Sequence, residues 1–600
     1  MTLAPEHLLI APILIPLVAG ALMLLYEDRQ RKAKLVISLA STLLLLGVAV
    51  QLLDMSKGSS PADANRIGLY LLGNWPSPFG IVLVLDRLSA MMLVLVALLA
   101  TPVLVYSAAS WHKQGQHFHS LFQFLLMGLN GAFLTGDLFN LFVFFEVLLA
   151  ASSGLLLHGT GQARVRMGLH YIAINLAASL LFLIGVAIIY GVTGTLNMAE
   201  LALKIPDLSA ADRPLIHAAA AILGIAFLVK GGMWPLSFWL PGTYMAASAP
   251  VGAIFAIMTK VGIYVIMRLS SLLFGEGHLS SGFGSEVLML GGIGTILFGL
   301  TGVLAAQRLG RMAGHLVLIS SGTMLTVIGM TVGGASPALL ASGLYYMLGS
   351  TIATSALFLL VEPLERESGG IAAMLALTAD AYGLEEPEED DSPEVGLAIP
   401  GSLLVLGGCF VMLVLMLAGL PPLAGFVGKV GMLTAALNPE GLTRVSATTP
   451  EVWAFTAMLM LSGLATLVAM VRVGIQTFWV VSEDALPKML AVEIGPVVAM
   501  LIMAVAITVQ GESIMRYMRT TATALDRPQI YVGGVIAAAR VGDALPATQA
   551  QTAPVEASPP GPSQDSHDQA APEAADPGVN AGGGTEAGTG TGAAPDQVTP

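Results

Sequence analysis

The stretch that decides the fold runs from Leu215 to Arg268 and reads LIHAAAAILGIAFLVKGGMWPLSFWLPGTYMAASAPVGAIFAIMTKVGIYVIMR. It is almost wholly apolar and long enough for two membrane spans, yet it contains Lys230 and Lys260. A charged side chain at the centre of a bilayer costs at least about 2.5–3.5 kcal/mol. Lys230 follows His217 by about 20 Å of helix, which is too deep for easy contact with an interface.

A break in the helix comes directly after Lys230. Gly231, Gly232 and Pro235 interrupt the helical pattern there, and lipid cannot satisfy the backbone groups that such a break exposes. The break and the lysines together favour a buried ion path over a lipid-facing helix. The alternative is a pair of structural lysines bonded to carbonyls, but ionisable residues inside a membrane are functional by default.

Composition sets the class of protein. Of 600 residues, 55% are hydrophobic and 11% are charged, with a mean hydropathy of +0.79, which indicates a polytopic membrane protein. The single cysteine, Cys409, excludes a disulfide framework and any cysteine-based metal site. No basic patch suggests nucleic acid, and we predict no cofactor, no metal site and no covalent catalysis, hence no enzyme.

Hydropathy predicts an all-α chain with about fourteen transmembrane helices. We place the spans near 7–26, 33–53, 80–109, 118–136, 138–157, 167–193, 214–240 (broken), 250–273, 286–306, 311–333, 337–361, 401–437 (broken), 452–480 and 490–511. The domains that follow are the first three helices in 1–110, a first repeat in 111–275, a second repeat in 276–480 with an acidic loop at 362–398, a last transmembrane helix in 481–525, and a disordered tail in 526–600.

Orientation follows from the basic loops. Arginine and lysine recur between alternate spans, in the loop that holds Arg29 and Lys34 and again at Lys113, Arg164 and Arg308. The positive-inside rule makes these loops cytoplasmic. Both termini are then periplasmic, and the acidic loop near Glu385 is cytoplasmic. Cysteine labelling on a Cys409→Ala background tests this topology.

Glu146 is a lone carboxylate in the span DLFNLFVFFEVLLAASSGLLL. It lies about 14 Å along the helix from Asp137, near the bilayer midplane. We interpret Asp137 as a helix N-terminal charge. Burial favours the neutral form of a carboxyl group unless a cation pairs with it, and Lys230 is the natural partner. The pair is either a structural ion pair or a proton relay, and the two readings are compatible.

A second broken element reads GLPPLAGFVGKVGMLTAAL, with Pro421 and Pro422 followed by Lys429. Paired interrupted spans in two halves are typical of inverted-repeat transporters, so we predict two inverted repeats, each with a broken helix. The alternative is a proline kink with a snorkelling lysine. About 10 Å of helix between Pro422 and Lys429 disfavours it.

Histidines give weaker signals. His315 is either a proton relay between the repeats or an interfacial histidine, and the sequence leaves both open. The remaining residues of interest are interpreted as topology or loop residues, with metal binding at the last three the less favoured reading: His158, Arg164, Arg166 and His170, then His112, His117 and His119.

The pieces LFVFFEVLLAASSGLLL, LVKGGMWPLSFWLPGTYMAASAP, IMTKVGIYVIMR and AGLPPLAGFVGK resemble the proton-translocating antiporter family. That family includes the large membrane subunits of respiratory complex I and of Mrp-type cation/proton antiporters, and the residues are most similar to the D-type subunits of the Mrp antiporters. The resemblance covers about 70–510. It implies an interacting Glu146–Lys230 pair, a central relay lysine at Lys260 and a further lysine, Lys429, in the second broken helix.

One departure concerns the span before the acidic loop. Relatives often carry a histidine or lysine there, whereas this chain has Gly349 and Thr354. The link from Lys260 or His315 to Lys429 therefore lacks an expected group and could run through water.

The resemblance implies a proton-translocating subunit of a multisubunit Na⁺ (or other monovalent cation)/H⁺ antiporter in the bacterial inner membrane. It would use the proton motive force and would be partnered by other antiporter subunits and lipid. Two alternatives share the fold, a proton-pumping subunit of an NADH:quinone oxidoreductase and a subunit of a membrane-bound hydrogenase. A membrane scaffold without transport is a third.

Overall fold

The computed structural model describes residues 5–27, 29–57, 67–77, 79–159, 161–275, 280–365, 401–438, 449–478 and 490–538. Most of the acidic loop, including Glu385, and the tail beyond 538 lie outside these residues. The described residues form nineteen α-helices: α1 Ala11–Leu24, α2 Arg31–Lys57, α3 Arg87–Ser107, α4 Phe118–Leu134, α5 Leu138–Leu156, α6 Gln162–Thr193, α7 Met198–Lys204, α8 Arg213–Gly231, α9 Leu240–Ala246, α10 Ala249–Leu273, α11 Ser285–Ala305, α12 Leu309–Val332, α13 Pro337–Glu365, α14 Gly401–Ala418, α15 Ala424–Leu437, α16 Pro450–Phe478, α17 Ala491–Val509, α18 Gly511–Asp526 and α19 Gln529–Ile536.

Eleven of these helices are long and apolar enough to cross a membrane. Four shorter apolar helices add to them: α1, α4, and the pair α14 and α15. With that pair taken as one broken crossing, the eleven long helices plus three further crossings make fourteen. The all-α, multi-span prediction is confirmed. Within the bundle, α10, α12 and α13 are almost fully buried and form its centre.

A short hairpin precedes α3 and was not predicted. Strand β1, Gly68–Leu71, pairs antiparallel with β2, Val82–Leu85. The predicted start of the third span at 80 is therefore wrong, because α3 begins at Arg87. Asp86 fixes that start, since its carboxylate accepts a hydrogen bond from the Ser89 amide at 2.9 Å and the Ser89 hydroxyl caps the Asp86 amide in return.

The chain after the last span is more ordered than the sequence suggested. Helices α18 and α19 follow α17 directly, so the prediction of a disordered tail from 526 is wrong for Gln529–Ile536. Tyr531 is buried there, and its ring lies 5.0 Å from the guanidinium of Arg268. Arg268 in turn forms an ion pair of 2.6 Å with Asp86. This contact ties the C-terminal helices to α10 and α3, and the sequence analysis missed it.

Both broken helices are interrupted by glycine and proline. Helix α8 ends at Gly231, and Gly232 has φ of +74°, a left-handed conformation that favours glycine. Helix α14 ends at Ala418, and Gly419 has φ of +79°. Each interruption contains a cis prolyl bond, at Pro235 and at Pro422.

Loops predicted to share one face of the membrane lie together. Arg31 donates a hydrogen bond to the Lys113 carbonyl at 3.0 Å, and the Trp111 indole donates to Glu362 at 2.6 Å. These bonds bring the start of α2, the link after α3 and the end of α13 to one end of the bundle. A second group of contacts joins the end of the hairpin to α19, through the Asp86–Arg268 ion pair and the Arg268–Tyr531 contact. Which end is cytoplasmic stays a prediction.

Candidate functional site

Lys230 lies in the last turn of α8, immediately before the break. Its amine donates a hydrogen bond to the Asn175 side-chain oxygen at 3.5 Å and lies 4.9 Å from the centre of the Phe145 ring. Asn175 is 3% exposed and is held by its own bond to the Tyr171 carbonyl at 2.9 Å. A buried amide and an aromatic face are thus the partners of this amine.

A small cavity of about 20 Å³ adjoins Lys230. Asn175, Trp239 and Tyr244 line it together with Val261, the residue next to Lys260. A cavity of at least about 10–15 Å³ can hold one water when polar groups surround it. The space beside Lys230 therefore suits a single water that could carry a proton toward or away from the amine.

Glu146 acts on Lys230 through its charge, but the two side chains do not form an ion pair within 4.0 Å. One carboxylate oxygen of Glu146 is buried without a hydrogen-bond partner among the described residues. The expectation of a direct Glu146–Lys230 pair is therefore corrected to an interaction across a gap. A buried polar atom without a partner is uncommon in native structures and points to a catalytic role or to a bound water or ion.

Lys260 is 1% exposed in the middle of α10. Its amine donates to the Ser320 hydroxyl at 3.0 Å and to the Ser321 hydroxyl at 3.4 Å. The backbones of α8 and α10 approach closely beside it, because a Cβ on Gly262 would lie 2.7 Å from the Gly231 nitrogen. This contact explains a glycine at Gly262 and places the helices of Lys230 and Lys260 against each other.

The hydroxyl of Ser320 continues the path away from Lys260. It lies 2.8 Å from the hydroxyl of Ser350 on α13, and the Tyr346 hydroxyl lies beside those of Ser320 and Thr323. Hydroxyls both donate and accept hydrogen bonds, so this cluster can relay a proton. It stands near the place where the sequence lacked the expected histidine or lysine.

The same part of α13 packs against α15. A Cβ on Gly349 would lie 3.3 Å from that of Ala424, and one on Gly428 would lie 2.8 Å from the Tyr346 Cβ. Small residues thus let the two helices approach closely. A side chain at Gly349 would press its Cβ against Ala424 of α15, so this close approach favours glycine there.

Lys429 is 6% exposed and lies in the second turn of α15. Its amine donates to the Ala418 carbonyl, at the end of α14, at 2.9 Å. A Cβ on Gly463 would lie 3.0 Å from that amine, and Gly419 also packs against its side chain. The amine therefore meets the negative end of a half-helix, and the snorkelling alternative does not apply to a buried side chain.

His315 does not join this row. Its ring packs against Gly302 and lies 5.8 Å from the Phe298 ring, both on α11. Its Nδ1 has no hydrogen-bond partner in the described part of the chain. Ser320 and Ser321, which contact Lys260, lie further along α12 than His315. The structure thus gives His315 a packing position and does not bring it to Lys260.

The other polar residues singled out from sequence have structural roles. His158 lies 2.9 Å from the Trp111 carbonyl, and Arg164 donates to the His158 carbonyl at 2.8 Å. Burial lowers the pKa of His158, so its imidazole is neutral near pH 7. Arg166 and His170 are exposed, and their interpretation as headgroup-facing residues stays a prediction.

Asp137 and His119 both lie at the N-terminal ends of helices. Asp137 caps α5, accepting a hydrogen bond from the Asn140 amide at 2.9 Å. His119 lies buried in α4 and not in a loop as predicted. Among the described residues, no group of three or more His, Cys, Asp or Glu side chains is arranged to hold a metal ion.

Comparison with known proteins identifies the family. A family model described as "NADH:quinone oxidoreductase/Mrp antiporter, TM" matches 135–379. A Rhizobium meliloti protein named as the D-type subunit of a probable K⁺/H⁺ antiporter is 51% identical over 90% of this chain and 99% of its own length. This chain belongs to the family of D-type antiporter subunits. The D-type subunit of the Na⁺/H⁺ antiporter of Alkalihalophilus pseudofirmus is 32% identical over 88% of this chain and 99% of its own length.

A solved structure of an Mrp complex has the same fold. One chain of the Mrp complex from Dietzia superposes with a TM-score of 0.72 at 24% identity, covering 89% of this chain and all of that one. The chain is therefore a multi-pass membrane protein with the fold of the antiporter membrane subunits.

Sequence reasoning missed the connecting groups of the site. Asn175, Tyr244, Ser320 and Ser350 are neutral, so their residue types gave no signal. Their positions matter only because neighbouring helices turn them toward buried lysines. Ser320 and Ser321 do lie in a run of hydroxyl residues on α12, and that run was the one available hint.

Proposed function

We propose that this chain is the proton-translocating subunit of a multisubunit monovalent cation/proton antiporter in the bacterial inner membrane. It is part of a secondary transporter that uses the proton motive force, and not an enzyme. Its partners are the other subunits of the antiporter complex. Potassium and sodium are the candidate cations, since the relative with 51% identity is named for K⁺ and the one with 32% identity for Na⁺.

The observation that carries this proposal is the bonding of Lys260. A fully buried amine without an acidic partner among the described residues bonds to Ser320, whose hydroxyl contacts Ser350 on the next helix. Burying a charge without a counter-charge is costly, and such a group readily gives up its proton. A purely structural lysine would gain more from a carboxylate than from two hydroxyls.

The proposed path has three amines. A proton enters from one side of the membrane to Lys230, passes through bound water to Lys260, crosses Ser320 and Ser350, and reaches Lys429 for release on the other side. Each amine can accept and release the proton because its buried environment favours the neutral form. When Lys429 is protonated, its charge is stabilised by the Ala418 carbonyl at the end of α14.

Glu146 sets the direction of transfer at the first amine. When its carboxylate is ionised, it favours the protonated form of Lys230 through its charge. When the Glu146 carboxylate moves away, Lys230 loses that support and yields its proton.

Exchange in membrane vesicles tests the proposal. Vesicles from an antiporter-deficient host would contain the whole complex, the complex without this chain, or this chain alone. A pH-sensitive dye would report collapse of a pH gradient on addition of potassium or sodium chloride. We expect exchange from the whole complex only, because lipid-facing helices do not complete a transport path. Exchange by the complex without this chain would contradict the proposal.

A further inference from the structure

An open pocket lies where the link between α11 and α12 meets the end of α9. Its volume is about 350 Å³, and its lining residues are Met245, Ala305, Gln307, Arg308 and Arg311, none of which belongs to the proposed proton path. At about 30 Å³ per water molecule in the liquid, the pocket has room for a phosphate group with water around it. We call it the arginine pocket.

The two arginines of the arginine pocket are exposed, and neither forms an ion pair within 4.0 Å in the described part of the chain. A carboxylate does reach the link between α11 and α12, since Glu365 accepts a hydrogen bond from the Gly310 amide at 3.2 Å. That carboxylate is bonded to the backbone, and it is one negative charge against two guanidinium groups. The pocket is therefore electropositive.

Arg472 adds a third guanidinium group at the same link. It is an exposed residue of α16, and it donates a hydrogen bond to the Ala306 carbonyl at 2.8 Å. Arg308 directly precedes α12, and Arg311 lies in the first turn of that helix, where the helix dipole disfavours cations. The local helix structure therefore does not account for this concentration of positive charge, and an anionic ligand would offset it.

A row of exposed leucines on α11 leads to the arginine pocket. Leu290, Leu297 and Leu304 are all exposed, and a spacing of seven residues places them on one face of the helix. Leu304 directly precedes Ala305, which lines the pocket. From Leu297 to Leu304 the helix rises about 10 Å, which is within the depth of about 15 Å for one leaflet. An apolar row that ends at guanidinium groups matches the two parts of a phospholipid.

The charge of the arginine pocket selects among phospholipids. Three guanidinium groups favour a head group with a net negative charge, because the ammonium group of a zwitterionic head group would be repelled. Basic pockets between transmembrane helices on the cytoplasmic side bind anionic head groups, and the positive-inside rule predicts that this link is cytoplasmic. A carboxylate of a partner subunit is the competing occupant, but it would leave the leucine row unexplained.

We infer that the arginine pocket binds the phosphate of an anionic phospholipid, with an acyl chain along Leu304 and Leu297. The planar forks of Arg308 and Arg311 pair with phosphate oxygens in a bidentate manner. The bound lipid would connect α11 with α12 and, through Arg472, with α16, so it would stabilise the packing of these helices. The inference goes beyond the proposed function, since it concerns a lipid site and not the exchanged ion.

Counting lipids on the intact complex tests this inference. The complex is purified in an uncharged detergent, stripped of lipid, and offered phosphatidylglycerol, phosphatidylcholine with the same acyl chains, or glycerol 3-phosphate. Native mass spectrometry counts the bound molecules. The test variant, Arg308→Gln with Arg311→Gln, removes both charges from the pocket. The matched control, Arg516→Gln with Arg519→Gln, removes two exposed arginines from α18. Arg308→Lys with Arg311→Lys keeps the charges of the pocket and removes only the planar forks.

We expect the wild-type and control complexes to bind one more phosphatidylglycerol molecule than the glutamine variant, and all three to bind phosphatidylcholine equally. The half-saturating phosphatidylglycerol concentration for that site should rise at least about tenfold in the glutamine variant, or about 1.4 kcal/mol, and by less in the lysine variant. An equal phosphatidylglycerol count and affinity in the wild-type complex and the glutamine variant would overturn the inference.

Two other results would reveal a different occupant and would also overturn the inference. Glycerol 3-phosphate that binds as tightly as phosphatidylglycerol would show a site for a free phosphate group. Loss of another subunit from the glutamine variant, with an unchanged phosphatidylglycerol count, would show a protein contact at the pocket. Because the lipid count does not depend on exchange, it can contradict the lipid site while the proposed function stands, and the vesicle assay can contradict the proposed function while the lipid site stands.

Discussion

The two broken helices hold their lysines in different ways. Lys230 precedes the first interruption and lies beside a cavity, with the neutral Asn175 in contact and the charge of Glu146 nearby. Lys429 follows the second interruption and is bonded to the Ala418 carbonyl between two glycines. The first amine has room and a counter-charge nearby, whereas the second has neither among the described residues.

This difference predicts different dependence on neighbours. The Lys230 amine has several neighbours: the Asn175 side chain, the charge of Glu146 and a cavity that can hold a water. Losing one of them leaves the others. The Lys429 site has a fixed backbone carbonyl and tight packing, so the function of the second half depends on the amine itself. The following changes should separate the two sites.

Removing the second amine should have the largest effect. In the intact complex, Lys429→Ala should lower exchange by at least about 100-fold, the lower range for a proton-transfer group, while native gels show normal assembly. Lys429→Arg should fail as well, because a guanidinium scarcely deprotonates. Lys429→Glu should keep part of the activity, since a carboxyl group can also relay a proton. Full exchange by the alanine variant would show that protons bypass Lys429.

Neutralising Glu146 should have a smaller effect. We expect Glu146→Gln to slow exchange about tenfold, which corresponds to about 1.4 kcal/mol, because its charge acts on Lys230 across a gap. Glu451→Gln on α16 is a matched control, since that carboxylate is exposed. Dye-based exchange rates at several pH values would measure both. A loss as complete as that of Lys429→Ala would mean that the two halves are equally dependent on single groups.

The serines between the halves should contribute less than the lysines. Ser320→Ala should reduce exchange several-fold, because Ser320 connects Lys260 to Ser350. Ser321→Ala is the control, since Ser321 also contacts Lys260, at 3.4 Å, but makes no onward hydrogen bond to the described residues of α13. Equal rates for the two variants would remove the hydroxyl relay from the account, leaving water to connect the amines.

Added bulk near the two lysines should change the stability of the complex more than its exchange rate. Gly463→Ala would place a Cβ 3.0 Å from the Lys429 amine and 2.7 Å from the Ala418 carbonyl. We expect it to destabilise the complex by about 1–3 kcal/mol, as overpacking commonly does. Gly224→Ala in α8 meets no atom of the described residues within 4 Å and should be neutral. Thermal loss of the native-gel band would compare them, and equal melting would argue against tighter packing at the second helix.

The sequence predicted the helices and the charged groups, but not how they are connected. Apolar length, the Gly–Pro interruptions and the buried lysines are local signals, so the spans and both breaks could be located. Whether Ser320 faces Lys260 depends on how α12 is rotated against α10, which a periodic pattern of apolar residues does not fix when a helix is buried on all sides. For the same reason, the sequence analysis did not find Tyr244, and it wrongly expected a direct Glu146–Lys230 pair.

The hairpin before α3 and the helices after α17 were missed for another reason. Strands of four residues carry little pattern, and β2 is as apolar as the span that follows it. Helix α19 has only eight residues, and its order depends on the contact between Tyr531 and Arg268. Contacts between residues far apart in the chain give no signal in a local window.

The central claim is that protons pass from one broken helix to the other through the amine of Lys260. The most direct test is exchange by intact complexes with Lys260→Gln and Lys260→Arg, with assembly checked on native gels. Glutamine keeps a donor for Ser320 but cannot ionise, and arginine keeps the charge but scarcely deprotonates. The account predicts that both assembled complexes lose exchange. An assembled variant of either kind that exchanges at the wild-type rate would contradict it.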